Sequence, residues 1–205
     1  MAKVKICGIT NIEDAIHAAK CGADALGFVF YKKSPRYIKP ENALKIVQLL
    51  PASVNKAGVF VNSRESVIRK VAAALKLDIL QFQGNESVNF CRRFKRFKVI
   101  KALRLKGRVR PAQIVRYGAW AYLFDTFAKN RFGGTGCCFD WRWLDALRKK
   151  NINIFLSGGL NAQNVKKALG VFPAAWVDAS SCLEKYPGRK DPAKVRKFIN
   201  NAKSA

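Results

Sequence analysis

Acidic residues are scarce in this sequence: 13 Asp and Glu stand against 39 Lys and Arg in 205 residues, a formal charge of +26. Such an excess repels the chain from itself and attracts any polyanion. It also leaves few carboxylates for acid–base chemistry, so one at a strand end carries weight. His17 is the one histidine. That excludes His-rich zinc sites and allows a Ser-His or Cys-His pair only if His17 itself is the base; in its Ala-rich stretch it reads as an ordinary helix residue. The six cysteines show no Cys-x-x-Cys spacing, and adjacent Cys137 and Cys138 cannot close a tetrahedral metal site without further soft ligands. No metal is expected. Long apolar runs are missing too: the stretch from Ala25 to Tyr31 falls far short of the roughly 20 residues of a membrane helix, which predicts no membrane association. No apolar signal segment opens the chain at MAKVKICGIT, which points to a cytoplasmic protein with reduced thiols.

What is present is enough apolar residue, 49%, for one well-buried core; residues 1–205 are read as a single domain. Short runs rich in Val, Ile and Phe alternate with longer amphipathic stretches. They predict strands at Val4 to Cys7, Ala25 to Phe30, Lys56 to Val61, Ile79 to Phe82, Val99 to Ala102, Ala121 to Phe124, Ile152 to Leu156 and Ala175 to Val177. Runs so continuously apolar suit parallel strands covered on both faces. Between them, stripes such as Ala43, Ile46, Val47, Leu50 and Val67, Val71, Leu75 predict helices. Caps are expected at Thr10 or Asn11, at Asn62 or Ser63, at Asn161, and at Asp191, where Pro192 opens a last helix to about Asn201. Eight strand–helix units leave no room for a second layered domain, so the expected fold is α/β, a (β/α)8 TIM barrel rather than an open doubly wound sheet.

In such a barrel the chemistry sits where strands end. Cys7, Asp125 and Asp178 meet that rule. Cys7 ends the first strand before Gly8; a thiol there is either a proton-abstracting base or a buried, inert small side chain. Asp125 leaves an apolar strand, where burial raises a carboxyl group's pKa toward that of an acid catalyst; the other reading is a carboxylate bonded to local backbone. Ser157-Gly158-Gly159-Leu160-Asn161 and Asp178-Ala179-Ser180-Ser181 follow the seventh and eighth strands, the usual place for a phosphate. Asp178 suits a sugar hydroxyl or a nitrogen better than a phosphate. Arg36, in Tyr31-Lys32-Lys33-Ser34-Pro35-Arg36-Tyr37, is a candidate carboxylate clamp that composition alone does not separate from Lys32 and Lys33.

Taken in order, KVKICGIT, ADALGFVFYKKSPRYI, AGVFVN, FDT, FGGTG, FDW, SGGLN, VDASS and PGRKD resemble the phosphoribosylanthranilate isomerases of tryptophan biosynthesis, from the first strand to the last helix. The resemblance implies a (β/α)8 barrel that needs no cofactor and converts N-(5-phosphoribosyl)anthranilate to its 1-deoxyribulose form by an Amadori rearrangement. It assigns Cys7 as general base and Asp125 as general acid. It sets Arg36 against the anthranilate carboxylate and Gly158, Gly159, Ser180 and Ser181 around the phosphate, with Asp178 also in the site. The substrate is anionic at both ends, so a basic mouth speeds its capture.

The chain departs from that family at four places. Gln83 stands where the family's QLHG has histidine, exchanging a titratable ring for an amide that still donates a hydrogen bond. Cys182 replaces the glycine usual after the two serines, a cost if that position needs positive φ. Cys137 and Cys138 replace polar residues. Helix faces that carry acids in relatives carry Arg92-Arg93-Phe94-Lys95-Arg96, which predicts nonspecific, salt-sensitive attraction to polyanions or nucleic acid. An alternative is a catalytically weakened barrel holding phosphate ligands or polyanions. A histidine-pathway isomerase, which uses an aspartate after its first strand, is disfavoured by Cys7.

Overall fold

The computed structural model describes residues 1–126 and 138–205; FGGTG at 132–136 and Cys137 lie outside the described residues. Eight parallel strands close into a barrel in chain order: β1 (Lys3–Cys7), β2 (Ala25–Val29), β3 (Asn55–Phe60), β4 (Ile79–Phe82), β5 (Lys98–Leu105), β6 (Ala121–Thr126), β7 (Asn153–Leu156) and β8 (Trp176–Ala179), with β8 returning to β1. This is the expected (β/α)8 architecture. Some ends differ. β5 runs on to Leu105 because its length pairs with β6 from Ile100 to Leu105, and β8 continues through Ala179, which puts Asp178 inside a strand rather than after one.

Helices α1 (Ile12–Lys20), α2 (Pro40–Val47), α3 (Glu65–Ala74), α4 (Val88–Arg92) and α5 (Pro111–Val115) follow the first five strands, α6 (Val165–Val171) follows β7, and α7 (Pro192–Lys203) closes the chain. After β6 the described connection is a 3-10 helix, Trp141–Leu147. A short hairpin, β9 (Glu184–Tyr186) and β10 (Arg189–Lys190), precedes α7. Asn11 caps α1 by accepting from the Asp14 amide, and Asp191 caps α7 by accepting from Ala193 and Lys194.

The cap expected for α3 is corrected. α3 begins after Arg64 with no side-chain cap, because Asn62 sits at φ 49° and uses Oδ1 to accept from the Asn85 amide at 2.8 Å. Asn161 caps the turn that opens into α6 as expected, its Oδ1 accepting from the Gln163 and Asn164 amides, although the regular helix begins only after Asn164. On α3 the buried stripe is Ile68, Val71, Ala72 and Leu75; Val67 faces out, 48% exposed.

Strand alternation divides the apolar residues into two layers. Outward positions such as Val4, Ile6, Leu26, Phe28, Tyr122, Phe124, Leu156 and Val177 join the helices in the larger cluster. Inward positions from Ala25, Ala57, Ile79, Ile100, Ala121, Leu123, Phe155 and Trp176 fill the barrel, where Phe155 and Trp176 stack at 4.7 Å. Above them the inward positions change character. Cys7, Val29 and Val59 form a small cluster with Tyr31, and Lys5, Gln81, Asp125 and Asp178 are buried polar groups. The barrel is therefore apolar at its base and chemically equipped at its mouth.

Candidate active site

A cavity of ≈ 650 Å³ opens at the C-terminal ends of the strands and is lined by every site residue expected from the sequence: Cys7, Arg36, Gln83, Asp125, Gly158, Gly159, Asp178, Ser180 and Ser181. Alternation explains the convergence. Cys7, Asp125 and Asp178 each occupy an inward position at or near the end of their strand, as does Ser157 just beyond β7.

Cys7 is 7% exposed. Burial pushes its thiol above the ordinary value, the Lys5 ammonium opposes that rise, and the Asp178 charge adds to it. Lys5 lies two residues earlier on the same inward face, fully buried, with Nζ donating to Asp178 Oδ1 at 2.6 Å. Burial works against its charge, yet Asp178 and then Cys7 hold it above the ordinary lysine value. Asp178 Oδ2 accepts from Ser157 Oγ at 3.2 Å, so this carboxylate is spent on a nitrogen and a hydroxyl of the protein itself. Gly27 leaves the space: a Cβ there would stand 2.7 Å from Cys7 Sγ and 3.2 Å from Lys5 Nζ.

Asp125 is 6% exposed. Burial raises its pKa to about 6; the Thr126 amide, donating to Oδ1 at 2.8 Å, pulls the other way, and the charge on Asp178 adds to the rise. Gln83 joins through its amide, with Nε2 donating to Asp125 Oδ2 at 3.3 Å and Oε1 accepting from Gln81 Nε2 at 2.7 Å. A neutral relay thus stands where the resemblance leads one to expect an ionisable ring, and Gln81 Oε1 is buried with no hydrogen-bond partner among the described residues. The loop carrying Gln83 is anchored from behind by Lys101, which donates to Gly84 O at 2.8 Å and pairs with Glu86 at 2.7 Å.

The remaining groups ring the opening. Arg36 forks onto Glu184, Nε to Oε1 at 2.8 Å and Nη2 to Oε2 at 2.7 Å, with Nη1 outside the fork. Glu184 Oε1 also accepts from Lys190 Nζ at 2.8 Å. Burial would raise Glu184, but the Arg36 and Lys190 contacts outweigh it and hold the carboxyl below its usual range. Lys190 Nζ reaches on to Ser180 O at 3.2 Å. Gly158 and Gly159 both take positive φ, 80° and 66°, and a Cβ on Gly158 would meet Thr126 Oγ1 at 2.5 Å, so only glycine fits this wall. Cys182 lies in the 3-10 turn Ser181–Leu183 and not at positive φ, so the backbone cost expected there does not arise. Cys138 Sγ touches Gly159 O at 3.4 Å. His17 lies in α1 with Nε2 2.9 Å from Pro192 O, tying α1 to α7, and does not line the cavity. Among the described residues no group of three or more His, Cys, Asp or Glu is placed to hold a metal ion, and no helix is long and apolar enough to cross a membrane.

The sequence reading missed Lys5, Gln81, Glu184 and Lys190. For Lys5 a signal existed: a lysine in an apolar strand, two residues before the cysteine, shares its inward face. Glu184 and Lys190 had none, since their meeting with Arg36 depends on how the β9–β10 hairpin folds back.

Comparison with known proteins bears on the same cavity. A family model described as N-(5'phosphoribosyl)anthranilate (PRA) isomerase matches residues 4–201. The N-(5'-phosphoribosyl)anthranilate isomerase of Geotalea uraniireducens is 47% identical over 203 residues, 99% of both chains, and that of Thermotoga maritima 43% over 204 residues, again 99% of both. The crystal structure of the Thermotoga maritima enzyme superposes with a TM-score of 0.93 at 41% identity, covering 100% of each chain. A phosphoribosyl anthranilate isomerase in complex with reduced 1-(o-carboxyphenylamino)-1-deoxyribulose 5-phosphate superposes at 0.90, also at 41% identity and 100% of each.

Proposed function

The chain belongs to the N-(5'-phosphoribosyl)anthranilate isomerase family of tryptophan biosynthesis, and from that premise we propose that its barrel mouth performs the family's isomerisation with Cys7 as base and Asp125 as acid, residues 1–205 acting as one domain. The observation that carries this reading is a thiol and a neutral-capable carboxyl group facing one cavity, both buried and both raised by that burial. The reaction moves protons on a substrate that brings its own amine, so two titratable groups suffice.

Asp125 delivers its proton to the ribose ring oxygen as the C1′–O bond breaks, and the anthranilate nitrogen lone pair forms the Schiff base. The Cys7 thiolate then takes the C2′ proton, and the electron pair of that C–H bond neutralises the iminium to give an enolamine. Transfer of the 2′-hydroxyl proton to C1′ yields the ketone, with no atom gained or lost. Lys5 holds positive charge beside the thiolate without contributing a proton. Gly158, Gly159, Ser180 and Ser181 surround the substrate phosphate, and Arg36, braced by Glu184, presents Nη1 to the anthranilate carboxylate. The partner is a small anionic substrate. A catalytic thiol must stay reduced, which supports a cytoplasmic setting.

The test is the fall in fluorescence as phosphoribosylanthranilate, generated in situ, is consumed. Cys7→Ser and Asp125→Asn should each lower kcat by at least about a hundredfold, the usual weight of a general acid or base. Activity kept in both variants would reject the two-residue shuttle.

A further inference from the structure

The charge excess is not spread evenly. Between Glu86 and Asp125 the chain carries eleven Lys and Arg and no carboxylate. This stretch builds α4, β5 and α5 and encloses a second cleft, ≈ 740 Å³, lined by Arg92, Lys95, Arg96 and Lys98 together with Phe97, Tyr117 and Trp120. The cleft lies at the barrel end opposite the mouth, since Lys98 begins β5 and Trp120 immediately precedes β6. Its four cations are exposed and its three aromatic rings half-buried.

Two features make it more than a solvated face. No acidic residue lines it, and Lys95, Arg96 and Lys98 form no ion pair among the described residues, while the undescribed residues 127–137 contain no acid. The walls are also tied: Arg92 Nη2 donates to Arg116 O at 3.0 Å, joining the end of α4 to the end of α5. Lys98 Nζ stands 5.6 Å over the Trp120 ring and Arg116 Cζ 5.7 Å from Tyr117. Cations interleaved with aromatic rings along one groove are the means by which single strands are held without sequence preference, through phosphate neutralisation and base stacking.

We infer that this α4–α5 cleft is a binding site for single-stranded nucleic acid, separate from the isomerase mouth. Four phosphate contacts on a single strand predict that affinity falls about fifty-fold between 50 and 200 mM salt. The experiment is fluorescence anisotropy of a short labelled single-stranded oligonucleotide titrated with the whole protein at both salt concentrations. Lys95→Glu/Arg96→Glu removes two contacts and should reduce that salt sensitivity to about sevenfold, with isomerase turnover unchanged. Lys166→Glu/Lys167→Glu, exposed on α6 and identical in charge change, should leave the fifty-fold dependence intact.

If both double variants weaken binding equally, the attraction belongs to the whole molecule and the cleft is not a site. Inorganic polyphosphate of equal charge should compete poorly, because it offers nothing to stack. Equal competition would remove the bases from the interaction and overturn the assignment, as would binding to phosphatidylserine vesicles without binding to the oligonucleotide.

Discussion

Lys5 Nζ lies 2.6 Å from Asp178 Oδ1 in the barrel interior, on the same inward face of β1 as Cys7. A buried ammonium is expensive unless paired, and this one is paired on one side and offers its field to the thiol on the other.

Lys5→Gln therefore removes the charge that offsets burial of Cys7. The Cys7 pKa should rise further and kcat/KM fall about ten- to a hundredfold, as expected for loss of roughly 1.4 to 2.8 kcal/mol of thiolate stabilisation. Alkylation of Cys7 by iodoacetamide, followed by mass spectrometry of its peptide, should slow in parallel. The substitution also strands Asp178, at a cost of about 3 kcal/mol or more in stability. Lys5→Gln/Asp178→Asn relieves that penalty and should recover the unfolding midpoint but only part of the rate, since it also removes the Asp178 charge, the smaller of the two acting on Cys7. Full recovery of both would reduce Lys5 to a structural role.

The pH profile follows from the two raised groups. The productive form is thiolate with neutral acid, but Asp125 releases its proton near pH 6 and Cys7 only above its ordinary value. Between those limits the dominant form is thiol with carboxylate, which holds the same number of protons as the productive one. The productive fraction is therefore small and constant across that window. It falls as pH drops below about 6, where both groups are protonated, and again in the alkaline range, where both are ionised. The kcat/KM profile should show a plateau with an acid limb near 6. A single limb that vanishes in neither Cys7→Ser nor Asp125→Asn would contradict the assignment.

Most of this site was legible because a parallel barrel converts linear spacing into place. An apolar strand of alternating orientation ending in Cys7 or Asp125 can point that residue only into the mouth, and two glycines after β7 can only form an open wall. What stayed hidden depends on chain reversal. The expected role of Arg36 as carboxylate clamp gave no hint that Glu184, far along the chain, takes two of its nitrogens. Likewise, a loop composition cannot reveal that Asn62 spends its side chain on Asn85 instead of capping α3.

Glu184 is the test of whether that brace matters. Glu184→Gln leaves Arg36 and Lys190 without their shared carboxylate, so the guanidinium loses its fixed plane. We expect KM to rise about tenfold with a smaller change in kcat, corresponding to about 1.4 kcal/mol of lost substrate binding. An unchanged KM in the steady-state assay would mean that Arg36 is held by its loop alone.

Asp125 carries a stability cost that its replacement should reveal. Its folded pKa, about 6, lies above the ordinary 3.8, so its contribution to stability is complete below the unfolded value and is lost as pH rises through 6. At pH 8 the buried carboxylate therefore destabilises the fold by about 3 kcal/mol relative to its protonated form. An amide in its place is neutral at every pH, and its Oδ1 still accepts from the Thr126 amide, although its Nδ2 cannot accept from Gln83. Asp125→Asn should raise the urea midpoint at pH 8 by the equivalent of about 2 kcal/mol, with about 1.4 kcal/mol of that gain gone by pH 5 and the remainder lost as pH falls toward 4. A variant equally destabilised at both pH values would show that the hydrogen bond from Gln83, and not the burial of charge, governs this position.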